Sequence, residues 1–308
     1  MPILSTFARS ILAASWAFAG LALIAVLLNV VWIGMLVRRY IGWDGLATIA
    51  AYIIGILLVS QMTWAIVLEG EGAHQDDLSK QQARYVATSL IVNEALWTLS
   101  NTLLRLSACI YIEDAFVREK RLARFIHVIM SICAVHCCAA VLELFLICRP
   151  LSAQWDPDVT GACGNQRVSY VVIESISAVL DLAILILPWY GFGHLMMPTK
   201  AKWTAVFVFN IGAVLLVFTG LRLKSLNLAT SSDFVFSQSF LGLLSAVGTM
   251  LGVLLCTSSS WPKLVHEVRY RMICHVFWQS ERERGLRTEG EGDLDFSYFA
   301  SSKPRQRG

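Results

Sequence analysis

Seven long apolar runs constrain the fold of this chain more than any other feature. The first run, from Ile11 to Val37, contains no charged residue. A helix needs roughly 20 mostly apolar residues to cross a bilayer, and this run exceeds the roughly 7–15 residues of a signal-peptide core. It is therefore predicted to be a retained span. The others cover about residues 45–68, 85–112, 125–148, 168–194, 203–223 and 238–258.

The small charged fraction supports a membrane protein. Charged residues make up 15% of the chain, whereas soluble domains carry about 25%. The sequence thus predicts an all-α membrane protein, a seven-transmembrane helix bundle over residues 1–258. The third run is the least regular, because Asn93, Glu94 and Arg105 interrupt it.

Basic residues indicate how the bundle is oriented. Lys and Arg are slightly more frequent in the loops after runs one, three and five, and nine basic residues follow run seven, from Lys263 to Arg307. Acidic residues concentrate in the opposite loops. Because cytoplasmic loops carry the excess of Lys and Arg, we expect the N-terminus outside and the C-terminus in the cytosol.

The chain after run seven divides into two predicted segments. Residues 259–279 alternate apolar and basic side chains at helical spacing, which is typical of an amphipathic helix on an anionic membrane surface. Residues 280–308 are rich in Glu, Arg, Gly and Ser and are predicted to be a disordered cytosolic tail. No basic stripe interleaved with aromatics and no phosphate loop is present, so no nucleic-acid partner is expected. No recognised catalytic motif occurs either.

A polar stretch, "CRPLSAQWDPDVTGAC" at residues 148–163, separates runs four and five. In the predicted orientation Cys148 and Cys163 are the cysteines that reach the oxidising side, where disulfides persist. A disulfide is favoured over two free thiols. It would close a loop of about 16 residues, which the chain-entropy model values at around 3 kcal/mol. Trp155, in the middle of the loop, is expected to rest at the membrane interface.

Ionisable residues within the apolar runs are candidate site residues, because charge inside a membrane is costly and often functional. Glu94 and Arg105 lie about three helical turns apart, so each needs a partner on another helix. Asp181 and Glu174 of run five are the available acids, and an Arg105–Asp181 pair would neutralise both groups. It could be a ligand-binding or switch pair, or a pin that fixes helix register. Several polar residues are expected in the outer half, around a pocket beneath the 148–163 loop: Asn93, Glu94, Glu143 and Glu174.

Two groups of residues bear on whether the bundle holds a cofactor. Cys133, His136 and Cys137 have spacing that could bind zinc, but two further ligands would be needed, so helix packing is favoured. A retinal Schiff base would need a lysine inside the bundle. No lysine lies within the seven runs. Neither a metal nor another cofactor is expected.

Several stretches together resemble the fungal rhodopsin-domain family of seven-helix membrane proteins. The Cys-x-Pro…Trp…Cys pattern of the 148–163 loop is one, and "GWDGL", "GEGAH", "LDLAILILPWYGFGHL" and the Lys-Phe-Gly-Arg pattern of run six are others. The resemblance covers about residues 11 to 262. Apart from the candidate site residues named above, the positions that match the family pattern are Asp44, Gly70, Gly72, His74, Pro150, Trp155, Pro188 and Arg222.

Three classes of function remain for the chain, and the resemblance implies the first two. The family includes receptor-like proteins linked to host sensing, which implies a sensor of a small or apolar ligand that signals through residues 113–124 and the tail. It also includes membrane proteins of secondary-metabolite clusters such as that for satratoxin, which implies an accessory protein or a membrane-embedded enzyme. A transporter is less favoured, because the predicted helices show no paired halves. The location implied is the plasma membrane or an endomembrane.

Overall fold

The computed structural model describes residues 6–32, 42–68, 79–115, 120–156, 158–192, 213, 216–224 and 234–259. All of them lie in the first of the two units into which the chain divides, Met1–Pro262. Except for Ser259, the predicted interfacial helix at 259–279 and the predicted tail at 280–308 lie outside the described residues. The Gly70, Gly72 and His74 positions also lie outside them.

The described part of the chain is almost entirely helical. We number its helices α1 to α7 in chain order, with α6 covering the helical residues 216–224. Two short strands, Cys148–Arg149 (β1) and Ala162–Cys163 (β2), lie between α4 and α5. The other helices are α1 Thr6–Trp32, α2 Trp43–Leu68, α3 Lys80–Ala115, α4 Lys120–Leu146, α5 Gln166–Phe192 and α7 Phe234–Ser259.

Among the described residues, five helices are long and apolar enough to cross a membrane. They correspond to α1, α2, α4, α5 and α7. α3 has 36 residues, but its polar and charged side chains lower its apolarity, and only nine residues of α6 are described. The chain is therefore a multi-pass helical membrane protein.

α7 is the most enclosed of the five candidate spans. About 67% of its most apolar stretch is buried inside the bundle, against 22–39% for the other four spans. It packs against α1, α2 and α3, in a core that includes Ile11, Leu58, Trp97 and Met250. Small residues permit this packing. A Cβ added at Gly55 of α2 would lie only 2.9 Å from the Met250 Cε of α7, and close helix approach of this kind is common in membranes.

The polar stretch between α4 and α5 forms a small hairpin. β1 and β2 pair antiparallel, with Cys148 opposite Cys163. The predicted disulfide joins these two residues. A 3₁₀ turn at Leu151–Gln154 lies inside the loop, and Gly161 packs so tightly beneath it that an added Cβ would lie 2.6 Å from the Ala153 Cβ. The hairpin is therefore a closed, compact element between the end of α4 and the start of α5.

Candidate functional site

Arg222 of α6 is the centre of a buried charge network. Its side chain is 0% exposed. One terminal nitrogen, Nη2, donates to both carboxylate oxygens of Glu94 in α3, at 2.8 and 2.9 Å. The same nitrogen donates to Glu174 Oε1 in α5 at 2.8 Å, and Nε donates to that oxygen at 3.2 Å. Because guanidinium presents several donors in a rigid fork, one residue can connect two carboxylates.

The remaining surfaces of the Arg222 guanidinium are also in contact with protein. Nη1 donates to the hydroxyl of Ser245 in α7. The guanidinium carbon lies 4.3 Å from the ring centroid of Trp97 in α3, a cation–π distance. Four helices, α3, α5, α6 and α7, therefore meet at a single side chain.

Arg105 and Asp181 form a second buried pair between α3 and α5, as the sequence predicts. Arg105 Nε lies 2.7 Å from Asp181 Oδ1, and Nη2 lies 3.1 Å from Oδ2. Nη2 also donates to the Ser177 carbonyl oxygen at 3.1 Å and to the Ser177 hydroxyl. Thr219 of α6 lies 3.5 Å from Asp181 Oδ2. This pair is balanced, with one acid for one base.

Acids outnumber bases around Arg222. Glu94 and Glu174 both bond to the guanidinium, and Glu143 of α4 lies within electrostatic range of Glu94. Both carboxylate oxygens of Glu143 and the Oε2 of Glu174 are shielded from solvent, and they have no hydrogen-bond partner within the described part of the chain. The site thus has more than one carboxyl group available to its single cation.

An ion pair at the surface joins the hairpin loop to α3. Arg84, near the start of α3, lies 2.8 Å from Asp156 and 2.6 Å from Asp158. Asp156 also accepts a hydrogen bond from the Asp158 backbone N–H. At the loop's inner side, the amide of Gln154 is buried near Tyr170 of α5, which is within electrostatic range of Glu94 and Glu143. The loop therefore lies next to the acid-rich side of the network.

Other candidate residues are placed elsewhere. Asn93 is buried but faces α7, where its Nδ2 would lie 3.7 Å from a Cβ on Gly242. His136 packs against α5, with Nε2 3.2 Å from the Ile173 carbonyl oxygen, which agrees with the packing interpretation. Over the described ranges, no three His, Cys, Asp or Glu side chains converge in a way that could hold a metal ion.

The remaining described family-motif positions lie at a helix start, in the hairpin loop or within a helix. Asp44 lies in the first turn of α2, where its carbonyl oxygen accepts hydrogen bonds from the hydroxyls of Thr48 and Ser107. Pro150 follows a cis peptide bond and precedes the 3₁₀ turn, and Trp155 ends that turn. Pro188 lies in α5, and its side chain is outside the described part.

Sequence reasoning missed the role of Arg222. It included this residue among the family-motif positions but left it out of the polar network, and it offered Glu94 no basic partner. A usable signal was present, because Arg222 falls within the sixth apolar run, 203–223, where an unpaired charge is costly.

These features define the class of protein: a multi-pass helical membrane protein with buried ion pairs between its helices and a disulfide-closed loop at one end. A family model described as "Fungal rhodopsin domain" matches residues 30–266, which is more than half of the chain. The chain belongs to the fungal rhodopsin-domain family. Comparison with curated proteins and with solved structures gave no match.

Proposed function

We infer that the chain is a seven-span, receptor-like sensor of a small or apolar ligand. In this proposal α3 and α6 complete the set of spans formed by the five apolar helices. At about 1.5 Å per residue, the 36 residues of α3 are about 54 Å long, which exceeds the roughly 30 Å hydrocarbon core. The polar side chains of α3 that lower its apolarity include Glu94 and Arg105, which are turned toward other helices.

The observation that carries the proposal is the sharing of Arg222. Two carboxylates from different helices bond to one guanidinium, and Glu143 of α4 lies within electrostatic range of one of them, Glu94. A network with alternative partners for one charge can adopt discrete arrangements, and a ligand that favours one arrangement shifts the population. In this proposal, ligand binding beneath the hairpin loop changes the pairing of Arg222 and moves α6 relative to α3 and α5.

The proposed signalling direction follows from the distribution of basic residues. With the N-terminus outside, the hairpin loop is extracytoplasmic, and residues 113–124 and the C-terminal tail reach the cytosol, where a signalling partner would bind. A topology test uses Cys-specific labelling of intact cells with a membrane-impermeant reagent. A cysteine introduced at the N-terminus should react, and one introduced after residue 280 should react only after permeabilisation.

The decisive experiment separates a sensor from an enzyme of a secondary-metabolite pathway. A deletion strain is complemented with the wild-type chain, with Asp181→Asn, or with a chain lacking residues 263–308, and metabolites and development are compared. A sensor predicts that removal of the tail abolishes the output. An enzyme predicts that the tail is dispensable, while Asp181→Asn accumulates the same specific intermediate as the deletion. The second result would replace the sensor proposal.

A further inference from the structure

Three basic side chains lie exposed at the start of α4: Lys120, Arg121 and Arg124. Within the described residues, the structure gives none of them an ion-pair partner. Two acids end α3 at positions just before α4: Glu113, which lies 3.7 Å from His127, and the exposed Asp114. Between Arg118 and Arg124 the sequence has four basic residues and one acidic residue, Glu119. Basic residues therefore outnumber acidic ones in this segment.

The position of these cations within α4 is electrostatically unfavourable for an isolated helix. The N-terminal end of a helix carries partial positive charge, so acidic residues are stabilising there and basic residues are not. α4 has no acidic residue in its first turn and begins with Lys120 and Arg121. An anion outside the described chain would compensate this charge.

The basic residues lie on the same side of α4 as its outward apolar surface. Residues four apart lie on the same face of a helix, so Arg121 and Arg124 are followed on that face by Phe125 and Val128, each 56% exposed. The exposed surface continues through Ile132, Val135, Leu142 and Leu146. The opposite, bundle-facing side carries the buried residues Leu122, Ile126, Cys133, His136, Ala140 and Leu144.

The length of this apolar surface places the basic residues at the depth of lipid head groups. From Phe125 to Leu146 the helix rises about 32 Å, which matches the roughly 30 Å hydrocarbon core of a bilayer. The turn from Lys120 to Arg124 then lies just outside the hydrocarbon. Because the side chains of Lys120, Arg121 and Arg124 are exposed, lipid head groups at this depth can reach them.

We propose that Lys120, Arg121 and Arg124 form a binding surface for anionic phospholipid head groups. The head-group phosphates and carboxylates of such lipids supply the missing negative charge at the start of α4, while their acyl chains lie along Phe125, Val128 and Ile132. This surface anchors the first turn of α4, which is the C-terminal part of the 113–124 segment, to the membrane.

The test uses the full chain in nanodiscs and measures the binding of fluorescent phosphatidylserine and phosphatidylcholine by energy transfer from the protein's tryptophans. The wild type should prefer phosphatidylserine. The variant Lys120→Gln/Arg121→Gln/Arg124→Gln should lose that preference, by about fivefold for each basic residue removed. The charge-preserving variant Lys120→Arg/Arg121→Lys/Arg124→Lys should retain it, and high salt should weaken it.

Two results would overturn the proposal. Equal binding of the two lipids by the wild type would show that the surface does not recognise negative charge. Unchanged phosphatidylserine preference in the neutralised variant, together with a loss of output in cells, would instead assign the surface to a protein partner. Symmetric nanodiscs present the same lipid on both faces, so the result does not depend on which end of α4 is cytosolic. Thermal unfolding of each variant checks that it is folded.

Discussion

The two buried charge clusters between α3 and α5 are built differently. Arg105 has one acidic partner, Asp181, and this pair is partly accessible, since the Asp181 side chain is 16% exposed. Arg222 is fully buried and shares its guanidinium between Glu94 and Glu174. Glu143 is also within electrostatic range of Glu94. One cluster is a balanced pair and the other has excess acid.

This difference separates two roles that buried charges can have. Removal of one partner from a balanced buried pair leaves a lone charge, which is strongly destabilising. In a cluster with excess acid, removal of one carboxyl relieves repulsion and still leaves the cation a partner. We therefore propose that the Arg105–Asp181 pair fixes how α3 and α5 pack, whereas the Arg222 cluster changes partners.

The largest effect is expected for Arg222→Met. This change leaves Glu94 and Glu174 buried without a cation, and it should reduce the stability of the fold by about 3–5 kcal/mol. The measurement is thermal unfolding in detergent. A fluorogenic maleimide reports unfolding, because it reacts with the thiols of Cys109 and Cys133 once these buried residues become exposed. Arg84→Met, at the surface, is the matched control. An unfolding temperature equal to that of the wild type would contradict the central role of Arg222.

A smaller loss is expected for Asp181→Asn. Arg105 loses its carboxylate but keeps the Ser177 carbonyl and hydroxyl as acceptors, so the expected cost is about 2 kcal/mol. The double variant Arg105→Met/Asp181→Leu removes both charges and should be more stable than the single variant, since apolar replacement of a whole pair is often neutral. A double variant that unfolds at a lower temperature than Asp181→Asn would contradict a coupled pair.

Glu174→Gln should cost less than Asp181→Asn, although Glu174 is the more deeply buried acid. Glu94 retains its two hydrogen bonds to Arg222, and the change removes one of the repelling charges. We expect stability within about 1 kcal/mol of the wild type. Unfolding temperatures of the two variants, measured side by side, test this order directly. A larger loss in Glu174→Gln would mean that both carboxylates are needed to balance Arg222.

The smallest effect is expected at the surface ion pair of the hairpin loop. Arg84→Gln breaks the contacts with Asp156 and Asp158, but Arg84 and Asp158 are 39% and 60% exposed. Exposed pairs of this kind contribute about 0.2–1 kcal/mol. The change should leave the unfolding temperature nearly unaltered while it increases proteolysis of the loop in the intact fold. Proteolysis at the wild-type rate would show that the disulfide alone holds the loop.

Local features of the sequence were sufficient to predict the helices. A membrane span depends on the length and apolarity of one continuous segment, so runs such as 45–68 and 238–258 correspond closely to α2 and α7. The ends of α3 were predicted less well: the apolar run covers 85–112, whereas the helix extends from Lys80 to Ala115. Outside the bilayer the chain no longer has to be apolar. The backbone hydrogen bonds of α3 therefore continue into polar residues beyond both ends of the apolar run.

The sequence by itself determined that Arg105 needs a buried acid, because a charge in an apolar run requires a partner. It also determined that Cys148 and Cys163 can form a disulfide, because a cysteine pair on one side of a membrane has few other partners. Only the tertiary structure decided that Arg222 joins Glu94, Glu174 and Ser245. These residues come from four helices that are far apart in the sequence. Their proximity depends on which helix faces pack together, and that choice is made by the bundle as a whole.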